Sequence, residues 1–357
     1  MVERLLAEVC RIATSGARGV TPFTIGGRDF LAIPQLSADA PDTPAGMNGG
    51  DSDTELLVLT REGDGYAQYQ RIPAPGGEDA EFFTIGAEIF LAVASIRTGR
   101  GPYDYATESV IHRWDGVRFQ PFQQVPTYAA KQWRHFAIAD RHFLALAQGV
   151  SLHPEHNRPS VIFEWAGGKF VPFQEIRSQW SYNWHFFELD GMALLAHADH
   201  VEPSLLYRFD GDRFVEHQQL VDGGARAFAT IQRAGVTYLA GAVLTADSLL
   251  YRWDGDRFVR HQVLDGPGGR ELAVLDDRYL IRVNFIVGPR EAPITQLASQ
   301  IYEWDGDVLV DVERFPTSGG TDVAVYGTEP LVAVSNSLTA DVRFSTDTIV
   351  YRFRAAA

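Results

Sequence analysis

LLYRWDGDRFVRHQVL, at residues 249–264, is the stretch whose reading decides the fold. Apolar, aromatic and β-branched residues alternate with polar ones on either side of Asp254-Gly255, a preferred hairpin turn, so the segment reads as two antiparallel strands. The same hairpin recurs as LLYRFDGDRFVEHQQL at 205–220, VIFEWAGGKFVPFQEI at 161–176 and VIHRWDGVRFQPFQQV at 110–125. Degenerate copies lie at 56–72 and 301–315, and half a copy, TDTIVYRF, at 346–353. A second hairpin precedes each of these: PFTIGGRDFLAI at 22–33, FFTIGAEIFLAV at 82–93, HFAIADRHFLAL at 135–146 and FFELDGMALLAH at 186–197, then looser versions at about 226–241, 272–283 and 323–334. Two hairpins per repeat give four antiparallel strands, and seven repeats with a period of about 40–50 residues predict an all-β, seven-bladed β-propeller.

The ends of the chain set the phase. The last copy lacks a fourth strand, and RLLAEVCRIA at 4–13 lines up with DRFVEHQQL at 212–220, as SGARG at 15–19 does with DGGARA at 222–227. The N-terminal strand is therefore expected to complete the seventh blade, which removes the free sheet edge that an open ring would expose. The expectation is one domain over 1–357, with blades at about 21–72, 80–125, 132–176, 182–220, 226–264, 270–315, and 321–353 plus 3–12.

Composition limits the function. With 45% hydrophobic and 22% charged residues, the 357-residue chain can bury a large core. A formal charge of -15 repels phosphate backbones and anionic lipid surfaces, so neither nucleic acid nor membrane is an expected partner. The single cysteine, Cys10, excludes an internal disulfide framework; with Glu3 and Glu8 interrupting the N-terminal apolar stretch where a leader would sit, it predicts a reducing, cytoplasmic location. Cys10 is expected to play a small, buried, apolar part. No glycine-rich phosphate loop, GxSxG elbow or nucleophilic cysteine context occurs, so no cofactor is expected; oligomeric state is not legible.

The pattern FxIxGxxFLAVA followed by a variable loop and SxIYRWDGxxFxxFQxI resembles the EAR, or EPTP, repeat of the leucine-rich glioma-inactivated proteins and related receptors. The resemblance extends over all seven units. It implies a seven-bladed propeller and, because members of that family are secreted and bind other proteins, a binding module.

In a propeller the tight turns fall on one face and the long connections on the other. Five connections are long, at 37–53, 96–107, 149–158, 286–298 and 337–345, while blades 4 and 5 have almost none, so a walled mouth with one low side is predicted. The residue just ahead of each innermost strand is expected to face that mouth: Thr21, Glu81, Arg134, His185, Ala227 or Ala229, Glu271 and Asp322. Framework positions repeat from blade to blade, whereas this one changes identity, which points to a ligand for these side chains. Trp180 and Tyr182, read as loop residues, add aromatic contact surface, and Arg282 departs from the small-residue FLAVA position. Trp133 and Trp184 are expected to pack between blades. Two functions follow: binding of a small molecule or peptide at the axial mouth, or cofactor-independent catalysis of a cyclase, lyase or isomerase type. The second would use Glu81, His185, Glu271 or Asp322 as acid and base, with Arg134 opposing negative charge. No metal is predicted; His153, His156, His197 and His200, with Asp199, are the residues that could ligate one.

Overall fold

The computed structural model describes residues 4–47, 49–150, 152 and 154–355. Among them the strands form seven antiparallel sheets of four, with one 3-10 turn at Pro154–His156 and no α-helix. The protein is a seven-bladed β-propeller. In blades 1 to 6 the four strands follow one another in chain order from axis to rim. The first strands, Thr21–Ile25, Gly77–Ile85, Ala130–Ile138, Ser181–Leu189, Ala225–Arg233, Gly269–Leu275 and Gly320–Tyr326, touch their neighbours around the ring and enclose an axial channel.

In the seventh blade the strand Leu6–Ser15 pairs antiparallel with Ser345–Phe353, from Leu6↔Phe353 to Ser15↔Ser345. Closure is thus as expected, but the strand is displaced from 3–12 toward the loop face, because Ala13, Thr14 and Ser15 still find partners; Glu3 lies outside the described residues. Cys10 is half-buried, its thiol pushed up by burial and by the nearby Asp64.

The FLAV-type second strands are buried on both faces: Phe30, Leu31, Ala32 and Ile33 are all at most 3% exposed, because each blade is sandwiched between two others. The fourth strands alternate. Trp133 and Trp184 are wedged between blades at 0% and 1% exposure, as their packing role predicts.

The WDG turns differ from expectation. Trp253 pairs with Phe258, so Asp254-Gly255 opens a four-residue loop instead of forming a two-residue turn. Asp254 Oδ1 accepts the Asp256 and Arg257 amides at 3.0 and 2.9 Å, and Asp115 and Asp210 do the same in their blades. Those amides hold all three carboxyls below their usual range. The loop is a two-residue turn at Ala166-Gly167-Gly168-Lys169, where the aspartate is absent and both glycines have positive φ, +61° and +79°, and also at Asp305-Gly306-Asp307-Val308, where Asp305 is itself paired with Val308. Asp115, Asp210 and Asp254 are therefore turn caps. Asp254→Ala is expected to lower the melting temperature modestly without altering the axial mouth; an unchanged melting curve would remove the capping role.

Candidate functional site: the axial mouth and channel

Each innermost strand starts on the long-loop face. Just before it, in six of the seven blades, the chain turns through a left-handed residue: Gly16, Gly76, Ala129, Gly224, Gly268 and Gly319. At Gly76 a side chain is also excluded by space, since a Cβ would lie 2.6 Å from the Arg97 carbonyl. Then come a small residue and a β-bulge, as between Gly77 and Asp79 or between Gly269 and Glu271. A bulge breaks the alternation of the strand, so two consecutive side chains turn toward the axis. The first of each pair forms the mouth ring: Glu78, Lys131, Tyr182, Arg226, Arg270 and Thr321, with Arg18 in the equivalent place of blade 1.

Four of these seven are cations and one is a carboxylate. Glu78, 4% exposed, lies 3.3 Å from Lys131 Nζ and 3.7 Å from Arg18 Nε. Burial pushes the Glu78 carboxyl up, but Lys131, Arg18 and Arg270 outweigh it and hold it below its usual value. Burial also depresses Lys131 to about 7 and Arg18 to about 10. Arg226 and Arg270, 4% and 6% exposed, make no close ion pair or side-chain hydrogen bond among the described residues, and carboxylates act on them only at longer range: Glu78 on Arg226, and Glu78, Glu271 and Asp322 on Arg270. They gather instead on Tyr182, their guanidinium carbons 3.6 and 4.9 Å from its ring centroid, with Lys131 Nζ at 5.3 Å. An aromatic face offsets part of the charge.

Above this ring is a cavity of about 290 Å³. Its walls come from the long connections, which pack Leu36, Ile96, Val150 and Phe285 into an apolar cluster of their own. The short connections reach it as well, through His200 in blade 4 and Leu244 in blade 5. Trp180 stands on this wall because Asp199 accepts the amides of Gln179, Trp180, Val201 and Glu202 and so fixes the loop. His200 meets the Trp180 ring edge-on at 4.9 Å.

Below the mouth the sign of the charge reverses. The next inward positions carry Asp79, Gln132, Asn183, Glu271 and Asp322, and two residues further along lie Thr21, Glu81, Arg134 and His185. Most of these clasp neighbouring blades, because the channel-side edge of an innermost strand leaves N–H groups without strand partners. Asp79 accepts Trp133 N at 2.9 Å, Gln132 accepts Trp184 N at 2.6 Å, and Asp322 accepts Val20 N at 2.7 Å. Deeper down, Glu81 accepts His135 N at 2.9 Å and His185 Nε2 accepts Thr230 N at 3.2 Å. Blade 5 offers only Ala227 at the upper level, and there Asn183 Nδ2 donates to Glu271 Oε2 at 2.6 Å, bridging blades 4 and 6. Burial and Asp322 raise the Glu271 carboxyl to about 7, and burial raises Asp322, Glu81 and, more strongly, Asp79. Burial and Arg134 bring His185 down to about 3, so it is neutral.

The EPTP domain profile matches residues 66–115, 118–166, 169–210 and 213–254, just over half of the chain. The chain belongs to the EPTP family. This EPTP propeller is 34% identical over 137 residues to the thrombospondin-type laminin G domain and EAR repeat-containing protein of Homo sapiens, an alignment covering 36% of this chain and 19% of that protein. It is 34% identical over 94 residues to leucine-rich repeat LGI family member 3 of Macaca fascicularis, covering 25% of this chain and 16% of that one. The chain thus aligns with less than a fifth of either relative.

Against this EPTP propeller the residues expected at the mouth sort unevenly. Glu81, Arg134, His185, Glu271 and Asp322 do face the channel, but within the strands and below the mouth, on two levels instead of one. In blades 6 and 7 the counterparts of Glu81 are Ala273 and Ala324: the innermost strands Gly269–Leu275 and Gly320–Tyr326 are two residues shorter than Gly77–Ile85, so counting back from the hairpin turn reaches the level of Asp79 instead. Their varied identity has a structural reason: a carboxylate, an amide and an imidazole all accept an N–H. Tyr182 lies on a strand bulge, not in a loop, and lines the mouth together with Trp180. Arg282 is away from the channel at 0% exposure, donating to Gln300, Leu264 O and Asp265 O.

Among the described residues no cluster of three metal-ligating side chains occurs, and no helix is long and apolar enough to cross a membrane. Asp199 is engaged by four amides, His197 Nε2 lies 2.6 Å from Ser181 Oγ, and His156 is exposed beside Glu155; His153 lies outside the described residues. The residues missed by sequence reading are Arg18, Glu78, Lys131, Arg226 and Arg270. One signal was available: a glycine, a small residue and an arginine recur at 16–18, 224–226 and 268–270.

Proposed function

We propose that this EPTP propeller is a binding module that receives a small polar molecule or a peptide segment at its axial mouth on the long-loop face. The observation that carries the reading is the cavity of about 290 Å³ in which Trp180, Tyr182 and buried charged side chains converge under walls built from six blades. Apolar walls with a few convergent polar groups are the usual make-up of a ligand pocket. Family membership supports binding over catalysis, as does the engagement of the channel's acid and base candidates in holding blades together.

The test is a thermal-shift and tryptophan-fluorescence screen of polar metabolites and short peptides against the full chain. Hits are expected to lose affinity by about tenfold or more in Tyr182→Ala and Trp180→Ala, since aromatic anchors carry much of such contacts, and to persist in Asp254→Ala on the opposite face. Hits that ignore the mouth variants and vanish in the turn variant would overturn the reading.

A further inference from the structure

Among the described residues, five buried nitrogen atoms around the mouth cavity have no hydrogen-bond partner: Arg18 Nε, Trp180 Nε1, His200 Nδ1, Arg226 Nε and Arg270 Nη1. Among the same residues, no buried oxygen of the cavity lining is in that state. In a chain with a net charge of -15, four cations from blades 1, 3, 5 and 6 converge on one buried carboxylate, Glu78, which ion-pairs with only two of them. A stable interior does not ordinarily leave guanidinium groups without acceptors, since burying an uncompensated charge is costly. Tyr182 offsets part of that cost for Arg226 and Arg270, but a ring face supplies no acceptor atom.

We propose that the mouth is an oxyanion site, built to take a compact, multiply charged group of the phosphate-monoester class between Arg226, Arg270, Lys131 and Arg18. The inference rests on the mouth being the binding site and names the chemistry of what enters it. The donors favour a tetrahedral group over a single carboxylate. A carboxylate is planar and is satisfied by one bidentate arginine, whereas here the cations come from four different blades and line one cavity. Trp180 Nε1 adds a neutral donor from the wall. Among the described residues, the level below carries the carboxyl groups Asp79, Glu271 and Asp322 and no cation, so the donors that suit an anion stay at the height of Tyr182.

The experiment uses the full chain with inorganic phosphate as the probe and sodium chloride and acetate at matched ionic strength as controls. Phosphate, and not the controls, is expected to raise the melting temperature, and calorimetry is expected to give saturable binding at a stoichiometry of about one. Arg226→Met removes an uncompensated charge, so it is expected to melt higher than wild type without phosphate and to bind phosphate about ten- to a hundredfold more weakly. Arg270→Met, a second and independent variant, is expected to weaken phosphate binding to a similar extent. A wild-type protein indifferent to phosphate would overturn the oxyanion inference while leaving the mouth reading to its own tryptophan and tyrosine variants. Phosphate binding that is intact in both arginine variants would overturn it too, because the anion would then sit elsewhere. An Arg226→Met protein that melts lower than wild type without phosphate would show the guanidinium to be a structural group and would likewise overturn it.

Discussion

A chain lacking residues 1–15 is expected to lose cooperative folding, or to melt more than about 10 °C lower, and to associate through the strand edge left bare. The deleted strand contributes nine paired positions to Ser345–Phe353. Its Leu6 belongs to the buried cluster that holds Phe353, Ile349 and Tyr351, and its Val9 and Ile12 pack against the apolar interface of blades 7 and 1. At roughly 0.5–1.5 kcal/mol per hydrogen bond and 1.5–3 kcal/mol per buried aliphatic side chain, that loss is comparable with the whole stability of a domain. A peptide spanning 4–16, supplied in trans, should restore part of the melting temperature. Circular dichroism melts and size-exclusion chromatography test this, and an unaltered melting temperature would mean that the ring does not close through this strand.

The second large effect is expected from acid. His112, His135 and His197 are held near 4 and His185 near 3, in every case chiefly by burial. An imidazole that titrates at about 6.5 in the unfolded chain but far lower in the fold contributes stability above 6.5, and this is lost as the pH falls toward the folded value. At pH 5 the loss is roughly 2 kcal/mol for each of these imidazoles. The raised carboxyls act in the opposite sense. Glu271, at about 7 in the fold, contributes stability that is complete below its unfolded value of 4.5 and is lost as the pH rises through 7. Between pH 7.5 and 5, therefore, Glu271→Gln should destabilise on acidification more steeply than wild type, and His112→Leu less steeply. Parallel pH profiles for all three proteins would refute this assignment.

How far these features were legible depends on whether the chemistry repeats. The fold was legible because hairpins such as 249–264 return with the period, and because burial on both faces of the FLAV strands writes the sandwiching of blades directly into their composition. The site was legible only in outline. Its face followed from loop length, and Trp180 and Tyr182 from their aromatic character, but a bulge adds one residue that no alternation rule announces. That bulge turns Arg226 and Arg270, one residue before Ala227 and Glu271, toward the mouth, while Glu271 and Asp322 stand above the level of Glu81 because the innermost strands of blades 6 and 7 are two residues shorter. The charged ring in the channel illustrates a further limit. Variation among Asp79, Gln132, Asp322, Glu81 and His185 looks like tuning for a ligand, yet each accepts one amide from the next blade.

The pairing that closes the seventh blade also fixes which way the protein faces. Ser15 and Ser345 lie at the loop end of that ladder, whereas Leu6 and Phe353 lie together at the other end, where Arg354 N donates to Leu5 O at 2.7 Å. Both ends of the folded ring thus leave side by side from the underside, opposite the mouth. Anything joined at either end, whether an affinity tag, a sensor chip or a neighbouring protein module, would hold the propeller like a cup on its stem, with its opening turned outward to solution.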